Sequence, residues 1–308
     1  MEQAAIKPTG RFAPSPSGRM HMGNLWSCLL AWLSARSAGG RMVLRLEDLD
    51  PDRCRQEYCD QVMRDLEWLG LDWDGEPVYQ SKRTEAYARA FHALEERGLL
   101  YPCYCTRAER LAASAPHRSD GLSVYDGRCA RLTAEEREEL EKTRRPAWRA
   151  SVPEKTITFC DFLYGNYSED LKKDCGDFIV RRSDGVYAYQ LAVVVDDAMM
   201  GVTQVVRGSD LLSSTPRQLW LQEALGLQHP EYGHLPLLLS PEGRRLAKRD
   251  RDLELGELQR RHTAPELVGA LACAARLIDR PDPITPQELI PHFSWDKLPK
   301  EDLVWSLR

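Results

Sequence analysis

Residues 11 to 24, RFAPSPSGRMHMGN, constrain this chain more than any other stretch. An apolar, β-prone start runs into a Pro/Ser/Gly loop, and the H-x-G motif His21-Met22-Gly23 then opens a helix. Leu25, Leu29, Leu30 and Leu33 fall on one stripe of that helix, and Gly39-Gly40 stops it. A helix N-terminus offers unpaired N–H groups and partial positive charge. Gly23 lets a phosphate approach the backbone, and His21 adds a donor. This outlines a nucleotide-phosphate site, although H-x-G alone suits a ligand-free strand-loop-helix at least as well.

Beyond this point strands and helices alternate as a parallel sheet requires. Met42 to Leu46 reads as a strand ending in Glu47-Asp48, and Arg55 to Leu69 as an amphipathic helix stopped by Gly70. Thr84 to Arg97 reads as a helix with Thr84 as N-cap and Tyr87, Phe91 and Leu94 inward. Ligands of open α/β sheets bind at the carboxyl ends of strands. Arg11 and Glu47 both stand near such ends, so a shared pocket is expected.

From Leu99 to about Arg182 the pattern changes to short strands, turns and one helix, opened by a capping box of Thr133 and Glu136. It reads as an insertion between two halves of a nucleotide-binding fold. The second half resumes with a strand Asp177 to Arg182, a Ser183-Asp184-Gly185 turn, and YAYQLAVVVDD, read as an apolar strand that carries Tyr189. Arg207 follows at a strand end, and Pro216 sits in the first turn of a helix running to Leu225. The last convincing helix is Pro265 to Ile278. The expected divisions are 1–98, 99–182, 183–252 and 253–308.

With 308 residues, 43% hydrophobic and 29% charged, the chain can bury a full core of about two domains. No apolar run is long enough to span a bilayer, and MEQAAIKPTG is no signal peptide. Nine scattered cysteines argue against a disulfide framework and for a reducing cytoplasm. A net charge of -5 means that any nucleic-acid contact must be local. Neither heptads nor a large apolar patch are visible, so a monomer is expected.

Cys103-x-Cys105 and, after twenty-three residues, Cys129 are spaced for three ligands of a zinc site. Tyr125 and His117 are the candidates for the fourth, and generic chemistry favours the imidazole. Three unrelated buried thiols are the alternative.

Taken whole, R-F-A-P-S-P-S-G followed by H-x-G-x resembles the first signature of class I aminoacyl-tRNA synthetases as glutamyl-type enzymes write it, with Asn24 where a second histidine is usual. The blocks Y-x-L-A-V-V-V-D-D and V-x-R-G-x-D-L-L-x-x-T-P-R-Q are similar to those of the same enzymes, and the likeness covers roughly residues 10 to 260. HLPLLLSPEGRRLAKRD takes the place of the second signature, K-M-S-K-S. It reads Arg245-Leu246-Ala247-Lys248-Arg249 and keeps only the second lysine. The cysteine spacing resembles C-x-C…Y-x-x-x-C of the glutamyl-queuosine tRNA(Asp) synthetases, the short branch of the glutamyl-tRNA synthetase family.

This resemblance implies an α/β, Rossmann-like fold with an inserted zinc-bearing α+β subdomain and a short helical C-terminal region. It makes Cys103, Cys105, Tyr125 and Cys129 the ligands of one structural Zn2+, with His117 a bystander. It places glutamate against Arg11, Phe12, Ala13, Pro14 and Ser15, with Glu47 on the α-ammonium and Tyr189 and Arg207 on carboxylate oxygens. It places ATP, with Mg2+, against His21, Gly23, Asn24 and Lys248, of which His21, Asn24 and Lys248 are catalytic. The roughly sixty residues after Lys248 are too few for a helical anticodon-reading domain. The implied partners are therefore L-glutamate, ATP and queuosine-bearing tRNA(Asp), in a cytoplasmic enzyme. A truncated synthetase charging a tRNA 3′ end and a weakly active adenylate- or tRNA-binding paralogue stay open as alternatives.

Overall fold

The computed structural model describes residues 7–106, 124–244 and 254–305. β1 (Thr9–Phe12) leads through the 13–20 loop into α1 (Met22–Ser37), and β2 (Arg41–Leu46) returns parallel to β1, with Phe12 opposite Leu44. Leu25, Trp26, Leu29, Leu30, Trp32 and Leu33 are all buried, so the leucine stripe widens into an enclosed helix. Gly39 ends the helix with φ 66°, and the Gly40 N–H donates to Ala35 C=O.

β2 is buried on both faces. Met42, Leu44 and Leu46 pack with α1 and α2 (Gln56–Trp68), whereas Val43 packs in a second cluster that includes α3 (Thr84–Glu96). Helices on both sides of a parallel sheet require this pattern. β3 (Val78–Tyr79) extends the order to β1-β2-β3. Arg83, not Thr84, is the N-cap of α3, and its side chain is engaged with Asp196.

Then follow β4 (Leu100–Cys103), a helix Ala134–Glu141 opened by the Thr133–Glu136 capping box, and β5 (Ala147–Ala150). The antiparallel hairpin β6 (Thr156–Asp161) and β7 (Gly165–Asp170) comes next, then β8 (Phe178–Arg181). β4, β5 and β8 form one antiparallel sheet.

YAYQLAVVVDD, expected as a strand, is the helix Tyr189–Met199. Leu191 to Asp197 are all buried there, packed with residues of α3 and of the helix Thr215–Leu225. A segment enclosed on every side shows no periodicity, and its β-branched content does not decide its structure.

β9 (Gln204–Gly208) and β10 (Glu231–Leu235) run parallel, and β6 joins them to give the order β7-β6-β10-β9. β9 lies alongside β1, where Thr203 N–H donates to Thr9 C=O and Arg11 Nη1 to Val206 C=O.

The helix Ala264–Ala274 ends four residues before the expected Ile278, just ahead of Arg276, which has φ 60°. Leu267, Leu271, Leu289, Leu298 and Trp305 share the buried cluster of α1, and β11 (Leu238–Leu239) pairs in parallel with β12 (Leu303–Val304). Among the described residues no helix is long and apolar enough to cross a membrane.

A Cβ on Gly40 would lie 2.2 Å from Pro8 O and 2.9 Å from Ala35 O, both backbone atoms. Gly40→Ala is therefore expected to destabilise the protein by about 2–3 kcal/mol, read as a lowered urea midpoint. An unchanged midpoint would show that the turn between α1 and β2 relaxes freely.

Candidate active site

The carboxyl ends of β1, β2 and β9 open on one cavity of about 570 Å3. Arg11 to Ser15 line it from β1 and the following loop, and His21, Gly23 and Asn24 from the start of α1. Glu47 lines it from beyond β2, Tyr189 from the first turn of its helix, and Arg207 from β9.

The two ends of the cavity differ in chemistry. At the α1 end, His21 is the N-cap: its Nδ1 accepts from Gly23 N–H at 3.1 Å, and Asn24 Oδ1 accepts from His21 N–H at 3.0 Å. A Cβ on Gly23 would press on the His21 ring at 3.1 Å, so the bare glycine also serves the cap. Asn24 thus has a definite local role in place of the usual histidine.

At the other end the groups are charged and buried. Arg11 is only 7% exposed, its Nη1 donates to Val206 C=O at 2.6 Å, and its Nε has no partner among the described residues. Burial lowers the Arg11 pKa from its ordinary value; Asp197 opposes this, while Arg45 and Arg207 add to it. Burial raises Glu47 above the usual carboxylate value, against the pull of Arg45 and Arg11. Arg207 donates to Gln218 Oε1 and Thr215 Oγ1, both at 2.8 Å, and reaches Tyr189 Oη at 3.4 Å.

A second constellation lies on the inserted sheet. The Sγ atoms of Cys103, Cys105 and Cys129 all fall within 4.8 Å of one another, and this group can hold a metal ion. Tyr125 Oη stands 3.6 Å from Cys103 Sγ and 3.4 Å from Cys105 Sγ. Four donors bound to zinc tetrahedrally at about 2.3 Å would be about 3.8 Å apart, so the two Tyr125 Oη separations suit neighbouring ligands of one ion. Arg149 donates from Nε to Cys103 Sγ at 3.2 Å and stacks 3.7 Å from the Tyr125 ring centroid. Burial pushes the Cys103 thiol up, but Arg149 outweighs it and holds the pKa below the usual value.

Residues 8–270 match the family of tRNA synthetases class I (E and Q), catalytic domain. The chain belongs to this class I synthetase family. It is 50% identical over 305 residues to the glutamyl-Q tRNA(Asp) synthetase of Symbiobacterium thermophilum, covering 95% of this chain and 94% of that one. It is likewise 50% identical over 306 residues to the enzyme of the same name from Nitratidesulfovibrio vulgaris, covering 96% and 94%. A glutamate tRNA ligase from Elizabethkingia meningosepticum, solved in complex with its amino acid, superposes with a TM-score of 0.81 at 27% identity, over 97% of this chain and 67% of that one. The class I synthetase fold accounts for the mixed α/β sheets and for a cavity at the strand ends.

The synthetase cavity gathers every predicted glutamate-site and ATP-site residue except Lys248, which lies outside the described residues, as does His117. Sequence reasoning missed Asp210 and Leu211, which also line the cavity, although they stand in the V-x-R-G-x-D-L-L block. Gly208 admits Asp210 here, because a Cβ would lie 2.5 Å from Asp210 Oδ1. It also missed His234, whose side chain is fully buried against Arg207 and Asp161.

Burial lowers the His234 pKa from 6.5 to about 4, the bond to Asp161 opposing the shift and the charges of Arg207 and Arg11 adding to it. The folded value is below the unfolded one, so folding favours the neutral ring. Its contribution is complete above about pH 6.5 and is lost as pH falls toward 4, on the order of 3 kcal/mol. Unfolding midpoints measured from pH 7 to pH 4 should fall less steeply for His234→Gln than for the natural chain. Equal slopes would mean that other groups carry the acid sensitivity.

Proposed function

We propose that this chain activates L-glutamate with ATP and transfers the glutamyl group to the cyclopentenediol of queuosine at the wobble position of tRNA(Asp). The observation that carries this reading is the joining, in one cavity, of a capped helix N-terminus and a buried pair of arginines with Glu47 between chain halves. The half-identical relatives named glutamyl-Q tRNA(Asp) synthetase, matched over nearly all of both chains, support the choice of acceptor.

On this reading the arginine end takes glutamate. Glu47 holds the α-ammonium, while Arg11, which lines the cavity, and Arg207, beside the Tyr189 hydroxyl, meet carboxylate oxygens. Glutamine would turn amide N–H donors toward these donors, so glutamate is preferred.

The helix end takes the phosphates. Because His21 Nδ1 accepts from Gly23, the neutral ring carries its proton on Nε2, a donor for a phosphate oxygen. Lys248 adds positive charge, and Mg2+ carried with ATP neutralises the polyphosphate. A glutamate carboxylate oxygen attacks the α-phosphorus, and pyrophosphate leaves. A queuosine hydroxyl then attacks the activated carbonyl and loses its proton, AMP leaves, and an ester remains.

Cys103, Cys105, Tyr125 and Cys129 hold one zinc ion on this reading. A closed four-donor site is structural.

Incubation with labelled glutamate and ATP should label tRNA(Asp) only when it bears queuosine, with the label in the anticodon loop. Label on the 3′ end of tRNA(Glu) would make the chain a minimal aminoacylating synthetase, and the absence of label from any tRNA would favour a binding paralogue. Metal analysis should give about one zinc per chain, lost in Cys103→Ser. Zinc retained in that variant would remove the proposed cluster.

A further inference from the structure

Arg207 is held from behind. Its Nε lies 3.1 Å from His234 Nε2, and Thr215 Oγ1 lies 3.2 Å from the same nitrogen. Arginine can only donate, so His234 Nε2 must accept and the ring must be neutral with its proton on Nδ1. Nδ1 lies 2.6 Å from Asp161 Oδ2, to which that proton is donated.

Among the described residues the Asp161 carboxylate meets donors only. Oδ2 also accepts from His234 N–H, and Oδ1 accepts from the N–H groups of Leu163 and Tyr164, each at 3.0 Å. Asp161 is 1% exposed, His234 0% and Arg207 6%. The carboxylate comes from the end of β6, which pairs with β10 at Tyr232, two residues before His234. Hydrogen bonds thus run from the hairpin, through the imidazole, to the guanidinium in the cavity wall.

We propose that Asp161 and His234 are positioning residues that set the tautomer behind Arg207 and thereby the plane in which Arg207 meets a substrate carboxylate. Of the bonds at the guanidinium's outer nitrogens, those to Gln218 and Thr215 are short at 2.8 Å, whereas those to Leu211 C=O and Tyr189 Oη, at 3.3 and 3.4 Å, are long enough for a carboxylate to replace. The inner Nε bond keeps the fork from turning as they exchange. This inference rests on the reading of the cavity as a glutamate site.

An amide at position 161 cannot reproduce the arrangement. Its NH2 group would oppose either the N–H groups of Leu163 and Tyr164 or those of His234. Relief by moving the ring proton to Nε2 would set two donors, Nε2–H and Arg207 Nε–H, against each other.

The test is glutamate-dependent exchange of pyrophosphate into ATP by the full chain, with KM measured for glutamate and for ATP. In His234→Gln, the side-chain oxygen can stand where Nε2 stands and accept from Arg207. His234→Asn reaches only the Nδ1 position, keeping Asp161 satisfied and leaving Arg207 Nε unpaired. We expect the glutamate KM to rise at least about tenfold in His234→Asn and Asp161→Asn, but less than about threefold in His234→Gln, with the KM for ATP unchanged. Glutamine should compete better in the first two variants.

Equal effects of the two His234 substitutions, or a KM for ATP rising in step with that for glutamate, would overturn the proposal. Should the His234 variants not fold, Asp161→Asn decides, a glutamate KM within about threefold of the natural chain's being fatal. Absence of glutamate-dependent exchange in the natural chain would sink the glutamate reading itself, and this inference with it.

Discussion

Arg11 and Arg45 are buried where the two halves of the chain meet, and each takes a partner from the far half. Arg11 donates to Val206 C=O, and Arg45 pairs with Asp197 at 2.5 Å and Glu47 at 3.2 Å. Burial disfavours charge on Arg45, but Asp197, Glu47 and Asp196 more than offset it and hold its pKa above the usual value. Uncompensated, a buried guanidinium costs about 3–5 kcal/mol, so Asp197 and the Val206 carbonyl couple the stability of the first half to the second. The same pairing fixes cationic donors and one carboxylate before any substrate arrives, which is the preorganisation that charge recognition requires.

What could be read from the sequence was what is local. The turn from β1 into α1, the two capping residues of the Ala134–Glu141 helix and the Pro216 helix start depend on neighbours within a few positions. The helix Tyr189–Met199 was misread because it is enclosed, with Val193, Val194 and Val195 buried in succession and no polar face to mark a period. Arg207 was found through a block of residues, but its partner His234 and the remote Asp161 were not. Their link joins positions 73 residues apart, and nothing in the sequence around either announces it.

The inserted segment is bonded within itself and joins the core through its hairpin. Cys103 on β4 and Arg149 on β5 meet at the thiol cluster, while Arg149 Nη1 donates to Asp177 C=O and Tyr101 Oη to the Asp177 carboxylate. The β6–β7 hairpin leaves that sheet and continues the one containing β9 and β10. A shift of the insertion would therefore be felt at Asp161, behind the cavity wall, as well as at its own cysteines.

Both ends of the cavity attract anions, one through backbone N–H groups and one through guanidinium groups, so on the proposed reading positive charge alone cannot orient glutamate and a polyphosphate. Glu47 breaks the symmetry. A polyphosphate placed against the arginines would meet this carboxylate as a like charge, whereas an α-amino acid brings an ammonium group that neutralises it. Burial raises the Glu47 pKa and would make it a poor counter-charge, but Arg45 and Arg11 pull it back toward ionisation. Arg45, which does not line the cavity, therefore acts on its polarity through Glu47: without that guanidinium, the carboxylate would gain a proton more readily and the two ends would become alike.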